Sequence, residues 1–228
     1  MFYICTVIKN EHTYLKEWIE YHLSLGVDKI CLFEDGDNTH ADIVKNYDKV
    51  ELKKAENGDK SHLQLQRDVY NNFLQNTMQI GDWCAFIDGD EFLMGMDVPT
   101  IKSTFNDLQE ISVIWKIFNA NGHEKSVKSR LTEFTEPIKN WSSYLSHDSK
   151  SIIHKLSDNL RFKSGIHHLY LPETNIVKQK AQWGNKIWIN HYYTGSLEDW
   201  KRRLERGAFK ERFKTLALFY KYNPDMKK

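Results

Sequence analysis

Residues 83 to 94 read WCAFIDGDEFLM, an apolar run that ends in three carboxylates, Asp88, Asp90 and Glu91, within four positions. Like charges that close together resist joint ionisation and desolvation unless positive charge sits among them. The stretch therefore asks for a cation. Read as the end of one strand, it sends Asp88 and Asp90 to the same face, and Gly89 between them lets a ligand approach the backbone. Oxygen ligands of this kind suit Mg²⁺ or Mn²⁺, which are often held by one or two carboxylates while substrate phosphates complete the shell. The competing reading is a solvated Asp-Gly turn. An EF-hand loop does not fit, because Phe92, Leu93 and Met94 stand where further oxygen ligands would be needed. An aspartyl-phosphate hydrolase fits no better, with Phe92 two positions after the second aspartate where threonine or valine is expected.

Two other strand ends repeat the theme. LFEDGDNT places Glu34, Asp35 and Asp37 after one apolar run, and VIKNEH places Asn10 and Glu11 after another. Ligands of open α/β sheets collect beyond the carboxyl ends of parallel strands, where carboxylates commonly accept hydrogen bonds from ribose hydroxyls. Each residue could instead cap a helix, Asn10 in particular.

Positioning these groups requires strands alternating with crossover helices. Strands are expected at 2–8, 29–33, the brief KVEL segment and the WCAF stretch, whose residues are apolar on both faces as in a covered parallel sheet. Leu15, Trp18, Ile19 and Leu23 form a helical stripe that Gly26 stops, and a second helix spans 62 to 76 with Leu63, Val69, Tyr70, Phe73 and Leu74 toward the core. Later come strands at 111–118 and 186–193 and a helix at 196–213, with 119–185 mostly loops. The expected fold class is α/β, a mostly parallel central sheet with helices on both faces, in a single domain. Residues 1–98 form its nucleotide-binding half and 99–228 its acceptor-binding half.

A chain of 228 residues, 40% hydrophobic and 13% aromatic, buries a real core. With 32 Lys and Arg against 31 Asp and Glu, the net charge of +1 gives no general attraction to polyanions, so nucleic acid is not an expected partner. The opening MFYICTVIKNEH has no basic leader or cleavage site, and no run approaches the ~20 apolar residues of a membrane helix, so a cytoplasmic protein is expected. Cys5, Cys31 and Cys84 each sit in an apolar strand-like segment and are read as reduced core residues.

Most of the ten histidines, including His12, His22, His40 and His147, are expected to be structural. His123, in the glycine-containing NANGH loop, is a candidate general base for an acceptor hydroxyl, with Glu91 and Glu124 competing for the role. His167 and His168 are expected to shape the same pocket or to complete a metal shell. Trp115, Trp141, Trp183 and Trp188 are mostly core, with one or two able to stack on a sugar face. The basic segment DWKRRLERGAFKERFK is either a solvated helix face or a contact for a phosphorylated lipid-linked acceptor or an anionic membrane surface.

Taken in order, VIKNEHTYLKEWIEYHLSLGVDKICLFEDGDN, WCAFIDGDEFL, WKIFNANGH and INHYYTGSLEDWKRRLERG resemble the family 2-like glycosyltransferases related to family 92, often encoded with lipopolysaccharide or capsule genes. The resemblance implies a GT-A fold and a metal-dependent transfer, with inversion, from a nucleotide-diphosphate sugar to a glycan or lipid-linked glycan. Asp88 and Asp90 would hold Mn²⁺ or Mg²⁺ on the diphosphate. Asn10, Glu11, Asp35 and Gln66 would line the donor pocket, and Lys150 would face the diphosphate. His191, which shares a strand face with Ile187 and Ile189, matches the late histidine that completes metal coordination in such enzymes. The chain departs from the family at Gly89, where valine or alanine is usual, and at His154, where arginine is usual. The rivals are a non-catalytic nucleotide- or carbohydrate-binding relic and a metal-dependent nucleotidyltransferase or phosphohydrolase, the usual nucleotidyltransferase being disfavoured by the lack of a glycine-rich phosphate loop.

Overall fold

The computed structural model describes residues 1–37, 39–138, 149–163, 165–170, 186–205 and 215–227. In chain order the elements are β1 (Phe2–Ile8), α1 (Leu15–Ser24), β2 (Lys29–Glu34), α2 (Ala41–Val44), β3 (Val50–Lys54), α3 (His62–Asn76), β4 (Trp83–Phe86) and β5 (Glu91–Met94). They continue with α4 (Val98–Thr104), β6 (Glu110–Ile117), α5 (Arg130–Glu133), β7 (Ser149–His154), β8 (Trp188–His191), α6 (Leu197–Glu205) and α7 (Leu216–Tyr222).

The strand order is β3-β2-β1-β4-β7-β6-β8-β5. β1 pairs in parallel with β2 and β4, and β2 with β3, so the carboxyl ends of four strands point the same way. β7 runs antiparallel to both β4 and β6. The expected α/β class with a mostly parallel sheet is therefore the observed one, β7 being the reversed strand among those whose pairing is registered.

Every residue of β1 is buried, which is what the unbroken apolar run FYICTVI dictates for a strand covered on both faces. On one face Tyr3, Cys5 and Val7 pack with Cys31, Cys84 and Phe86 against Leu65, Tyr70, Phe73 and Leu74 of α3. All three cysteines are free and lie in this cluster. α3 starts at a capping box in which Ser61 and Gln64 satisfy each other's backbone amides, and it spans the expected residues. Its last turn is held by the buried Lys155 ammonium, which donates to the carbonyls of Leu74 and Met78 at 2.9 and 2.8 Å. Gly26 stops α1 with φ of 90°, a conformation that glycine adopts without strain.

The chain divides into two compact units, one of residues 1–115 with 147–189 and one of 116–146 with 190–228. The first unit thus takes in β7 and most of β6. In the second unit Trp200 and Phe219 pack with Ala120, and Asn223 accepts from the Ala120 amide at 2.6 Å. The expected helix over 196–213 is seen as α6, its remainder lying outside the described residues, as do His147, Trp141 and Trp183. No described helix is long and apolar enough to cross a membrane.

Candidate functional site

The acidic stretch is not one continuous strand. β4 ends at Phe86 and β5 begins at Glu91, with Asp88, Gly89 and Asp90 in the turn between them. The strand-parity argument for pairing Asp88 with Asp90 is thus corrected, because Glu91 folds back and closes the turn. Its amide donates to the Asp88 carbonyl at 3.1 Å, and its Oε2 accepts from the Asp88 amide at 2.8 Å. Trp18 of α1 donates its indole N–H to the Glu91 carbonyl at 2.7 Å. Tyr21 and His22 fix β5 through the carbonyl and amide of Leu93. The Asp-Gly turn of the competing reading is thus present, but it is mostly buried: the Asp88 side chain is 31% exposed, Asp90 9% and Glu91 not at all.

The cation that the sequence calls for is present in the chain itself. The Nζ of Lys150, a side chain 1% exposed, donates to Asp88 Oδ2 at 2.8 Å and lies 3.8 Å from Glu91 Oε2. Gln66 of α3 donates to the other Asp88 oxygen at 2.9 Å. β7 brings Lys150 to this point because it is the antiparallel neighbour of β4. Burial alone works to lower the ammonium's pKa, but the charges of Asp88, Glu91 and Asp90 outweigh it and hold Lys150 above its ordinary value. Burial likewise opposes ionisation of Asp88, and Lys150 overcomes it, leaving that carboxyl below its ordinary range. Glu91 goes the other way: complete burial, reinforced by the neighbouring aspartates, pushes it well above the usual carboxylate range despite Lys150.

The ends of β1 and β2 converge on the same place. A Cβ added to Gly89 would stand 3.3 Å from Glu11 Cγ, which places the Glu11 side chain directly beside the turn. Asp35 is 6% exposed and accepts from Asn57 at 2.7 Å and from Lys9 at 3.4 Å. The imidazole of His62 is 3.8 Å from Asp35 and, one helical turn before Gln66, also acts electrostatically on Asp88. Asn10 is exposed with φ of 55°, and it does not cap α1, whose N-cap position is Tyr14.

His40 ties these two strand ends together. It is 1% exposed, its Nδ1 donates to Glu34 Oε1 at 2.7 Å, and its Nε2 accepts the Glu11 amide at 3.0 Å. Those partners fix a neutral tautomer, and burial keeps the pKa below its ordinary value. The structural role expected for His40 is thus correct. Its importance to the position of Glu11 had no signal in the sequence, and neither did the placement of His62.

Glu11, Asp35, Gln66, Asp88, Asp90, Glu91 and Lys150 are therefore assembled in the first unit. His123 and His191 belong to the second. There His123 is half-buried, its ring set edge-on to Phe134 with centroids 5.7 Å apart. His191 is 6% exposed and edge-on to Tyr193, and its carbonyl accepts the Phe118 amide at 3.0 Å. Among the described residues, no group of three or more His, Cys, Asp and Glu side chains is arranged to hold a metal ion. The oxygen-bearing side chains that could hold a hard divalent cation here are Asp88, which is bonded to Lys150, and Asp90, the next carboxylate in the turn, with ligand oxygens supplying the rest of a shell.

No family model matches the chain. It is 24% identical over 215 residues to a glycosyltransferase family 92 protein of Ricinus communis, covering 89% of this chain and 37% of that protein. It is 23% identical over 223 residues to a glycosyltransferase family 92 protein of Oryza sativa subsp. japonica, covering 95% and 36%. A third such protein, from Arabidopsis thaliana, is 29% identical over 94 residues, covering 39% and 16%. The chain thus spans little more than a third of the length of the first two relatives. Among solved structures, TarS of S. aureus aligns with 55% of this chain and 23% of its own at 13% identity and a TM-score of 0.39. HddC from Yersinia pseudotuberculosis aligns with 90% and 99% at 11% identity and a TM-score of 0.43. Likenesses at that level carry no weight in assigning a function.

Proposed function

We propose that this chain is a GT-A glycosyltransferase that moves a sugar from a nucleotide-diphosphate donor to a glycan or lipid-linked glycan acceptor, with inversion and with Mn²⁺ or Mg²⁺ as cofactor. The observation that carries the reading is the seating of Asp88 at the carboxyl end of a central parallel strand, gripped from one side by Gln66 and from the other by the buried Lys150. The similarity to proteins named glycosyltransferase family 92 supports it. Asp88 and Asp90 would hold the cation. When bound, it would neutralise the negative charge that grows on the departing nucleoside diphosphate.

The chain's own residues have separate tasks in this scheme. Glu11 and Asp35 accept hydrogen bonds from the nucleoside, with Asp35 held in place by Asn57 and Glu11 by the His40 clasp on its amide. Gln66 and Lys150 fix the Asp88 carboxylate in one orientation before any ligand arrives, so little reorganisation is left for the reacting state. Glu91, buried and closing the turn, serves as a strut for the two aspartates. A role in lipopolysaccharide or capsule assembly, in the cytoplasm at the inner face of an anionic membrane, belongs to the same proposal.

The test is a thermal-shift screen of UDP-, GDP-, CDP- and dTDP-sugars with and without Mn²⁺, since a bound ligand stabilises the native state by mass action. A shift with one nucleotide class that needs Mn²⁺ is expected, accompanied by slow release of the nucleoside diphosphate. No shift with any donor would refute the reading. Binding without sugar release would point to a relic, and release of inorganic phosphate or pyrophosphate to the phosphohydrolase or nucleotidyltransferase alternatives.

A further inference from the structure

Near the end of β7 lies a second chain of polar groups, to which the proposed function gives no role. Glu110, at the start of β6, is 1% exposed, and its Oε1 accepts from Ser151 Oγ at 2.7 Å and from His168 Nδ1 at 3.0 Å. A carboxylate has no proton to donate, so Nδ1 carries the imidazole hydrogen and Nε2 presents its lone pair. Nε2 lies 3.3 Å from Ser149 Oγ, and Ser112 Oγ donates to that same oxygen at 2.7 Å. The hydrogens of the chain then all run one way, from Ser112 to Ser149 to His168 to Glu110. The Glu110 side chain is 1% exposed and that of His168 is 27% exposed, so a buried carboxylate anchors an imidazole that keeps part of its surface in solvent.

A buried carboxylate fixing the tautomer of an imidazole whose other nitrogen meets a hydroxyl is the arrangement that orients a general base. Its location is set by register. β7 is antiparallel to β4 with Phe86 opposite Ser151, so the Ser149 end of β7 runs past the carboxyl end of β4, toward the turn that holds Asp88. His167, next to His168, is bonded to the Ser149 carbonyl at 2.7 Å and sets its ring edge-on to Trp115, over which Lys150 Nζ stands.

We propose that His168 is the catalytic base for glycosyl transfer and that Glu110 is its positioning residue, with Ser149 Oγ holding the ring until an acceptor hydroxyl takes its place. The inference rests on the transferase reading, and it assigns the base to a residue other than His123 or Glu91. In the step, the acceptor oxygen forms a bond to the anomeric carbon while the bond from that carbon to the β-phosphate oxygen breaks, its electron pair leaving with the nucleoside diphosphate. The acceptor's proton passes to Nε2, giving an imidazolium whose Nδ1–H remains on Glu110.

Two measurements on the full chain test this. Nitrogen-15 NMR of the imidazoles at pH 8 should show His168 protonated on Nδ1 and bare on Nε2, and Glu110→Ala should release the ring into a mixture of tautomers. A His168 proton on Nε2 in the native chain overturns the proposal whatever the activity. In transfer assays with the UDP-, GDP-, CDP- and dTDP-sugar panel, Mn²⁺ and oligosaccharide acceptors, His168→Ala should lower turnover by about 10²- to 10⁴-fold. It should leave affinity for the matching nucleoside diphosphate unchanged, and added imidazole should restore part of the rate. If Asp90→Asn abolishes transfer while His168→Ala keeps the native rate, the base assignment falls and the transferase reading stands. If the native chain neither binds nor turns over any donor, both fall together.

Discussion

Replacing Lys150 with methionine, which keeps the length of the side chain and removes its charge, tests whether the acidic turn is held by that one ammonium. The Nζ stands 2.8 Å from one carboxylate oxygen and 3.8 Å from another in a site where Lys150 is 1% and Glu91 0% exposed. At an effective dielectric constant near 20, a unit pair at about 4 Å is worth roughly 4 kcal/mol before the cost of desolvating the ammonium. Removing one partner of a buried pair costs about 3 to 5 kcal/mol, because the other charge is left behind. The Asp88 side chain is 31% exposed, so screening by solvent places the expected loss at the lower end of that range. For a chain of this length the loss corresponds to a fall of about 6 to 12 °C in melting temperature. Two further responses have a definite sign. Lowering the pH should recover stability in the variant, as Asp88 takes up a proton in place of its lost partner, and Mn²⁺ should recover it at neutral pH by replacing the missing positive charge. Urea titrations of both forms at pH 7.5 and pH 5, with and without Mn²⁺, measure all three effects. A variant within about 0.5 kcal/mol of the native chain at pH 7.5, the range of ordinary surface substitutions, would refute the reasoning.

Asp90→Asn should abolish most transfer with little change in melting temperature, whereas Asp88→Asn should lose both, since Asp88 also partners Lys150; turnover and melting curves of the two side by side decide it. Glu11→Ala and Asp35→Ala should each weaken nucleoside diphosphate binding by about 1 to 3 kcal/mol through lost hydrogen bonds, as read by calorimetric titration. His22 donates from Nδ1 to the Trp18 carbonyl and accepts the Leu93 amide on Nε2, and burial brings its pKa down from 6.5 to about 3. The unfolded chain therefore binds the proton first, so this contribution is complete above pH 6.5 and is lost as the pH falls toward 3, amounting to about 2 kcal/mol by pH 5. Urea titrations between pH 8 and pH 5 should show a shallower loss in His22→Gln than in the native chain, and an identical slope would sink the assignment.

The parallel core is legible in the sequence because its signals are local. FYICTVI, KICLF and the helix at 62–76 carry their own periodicity, and the observed elements begin and end within a residue or so of the expected ones. The Ser61 capping box and Gly26 are equally local. The turn escapes a sequence reading because its determinants are distant along the chain. What breaks WCAFIDGDEFLM after Phe86 is the fold-back of Glu91, braced by Trp18 73 residues earlier. Likewise β7, which delivers Lys150, carries too short a pattern to be read as a strand, being SKSIIH with serines at alternate positions, so that Lys150 is singled out only through the family resemblance.

Those alternating serines gain a physical meaning once their partners are known. On one side of β7, Ser149 and Ser151 join the hydrogen-bonded chain to His168 and Glu110, which a hydrophobic strand residue could not do. On the other, Lys150 neutralises the acidic turn. A strand of six residues thus serves two electrostatic tasks, supplying positive charge to the Asp88 carboxylate and hydroxyls to the chain of hydrogen bonds around His168 and Glu110. On the proposed function, one positive charge is fixed in the fold and a bound cofactor would supply another. A lysine alone balances Asp88 and keeps the unliganded turn folded, but it leaves Asp90 beside an incoming diphosphate, and like charges repel. A divalent cation arriving with the donor removes that repulsion, so cation and nucleotide should bind with positive coupling. Linkage makes this reciprocal: nucleoside diphosphate must tighten Mn²⁺ by the same factor that Mn²⁺ tightens the nucleotide. Titrating each in the presence of the other measures that factor twice, and Asp90→Asn should bring both values toward one. Coupling that survives in Asp90→Asn would place the cation elsewhere.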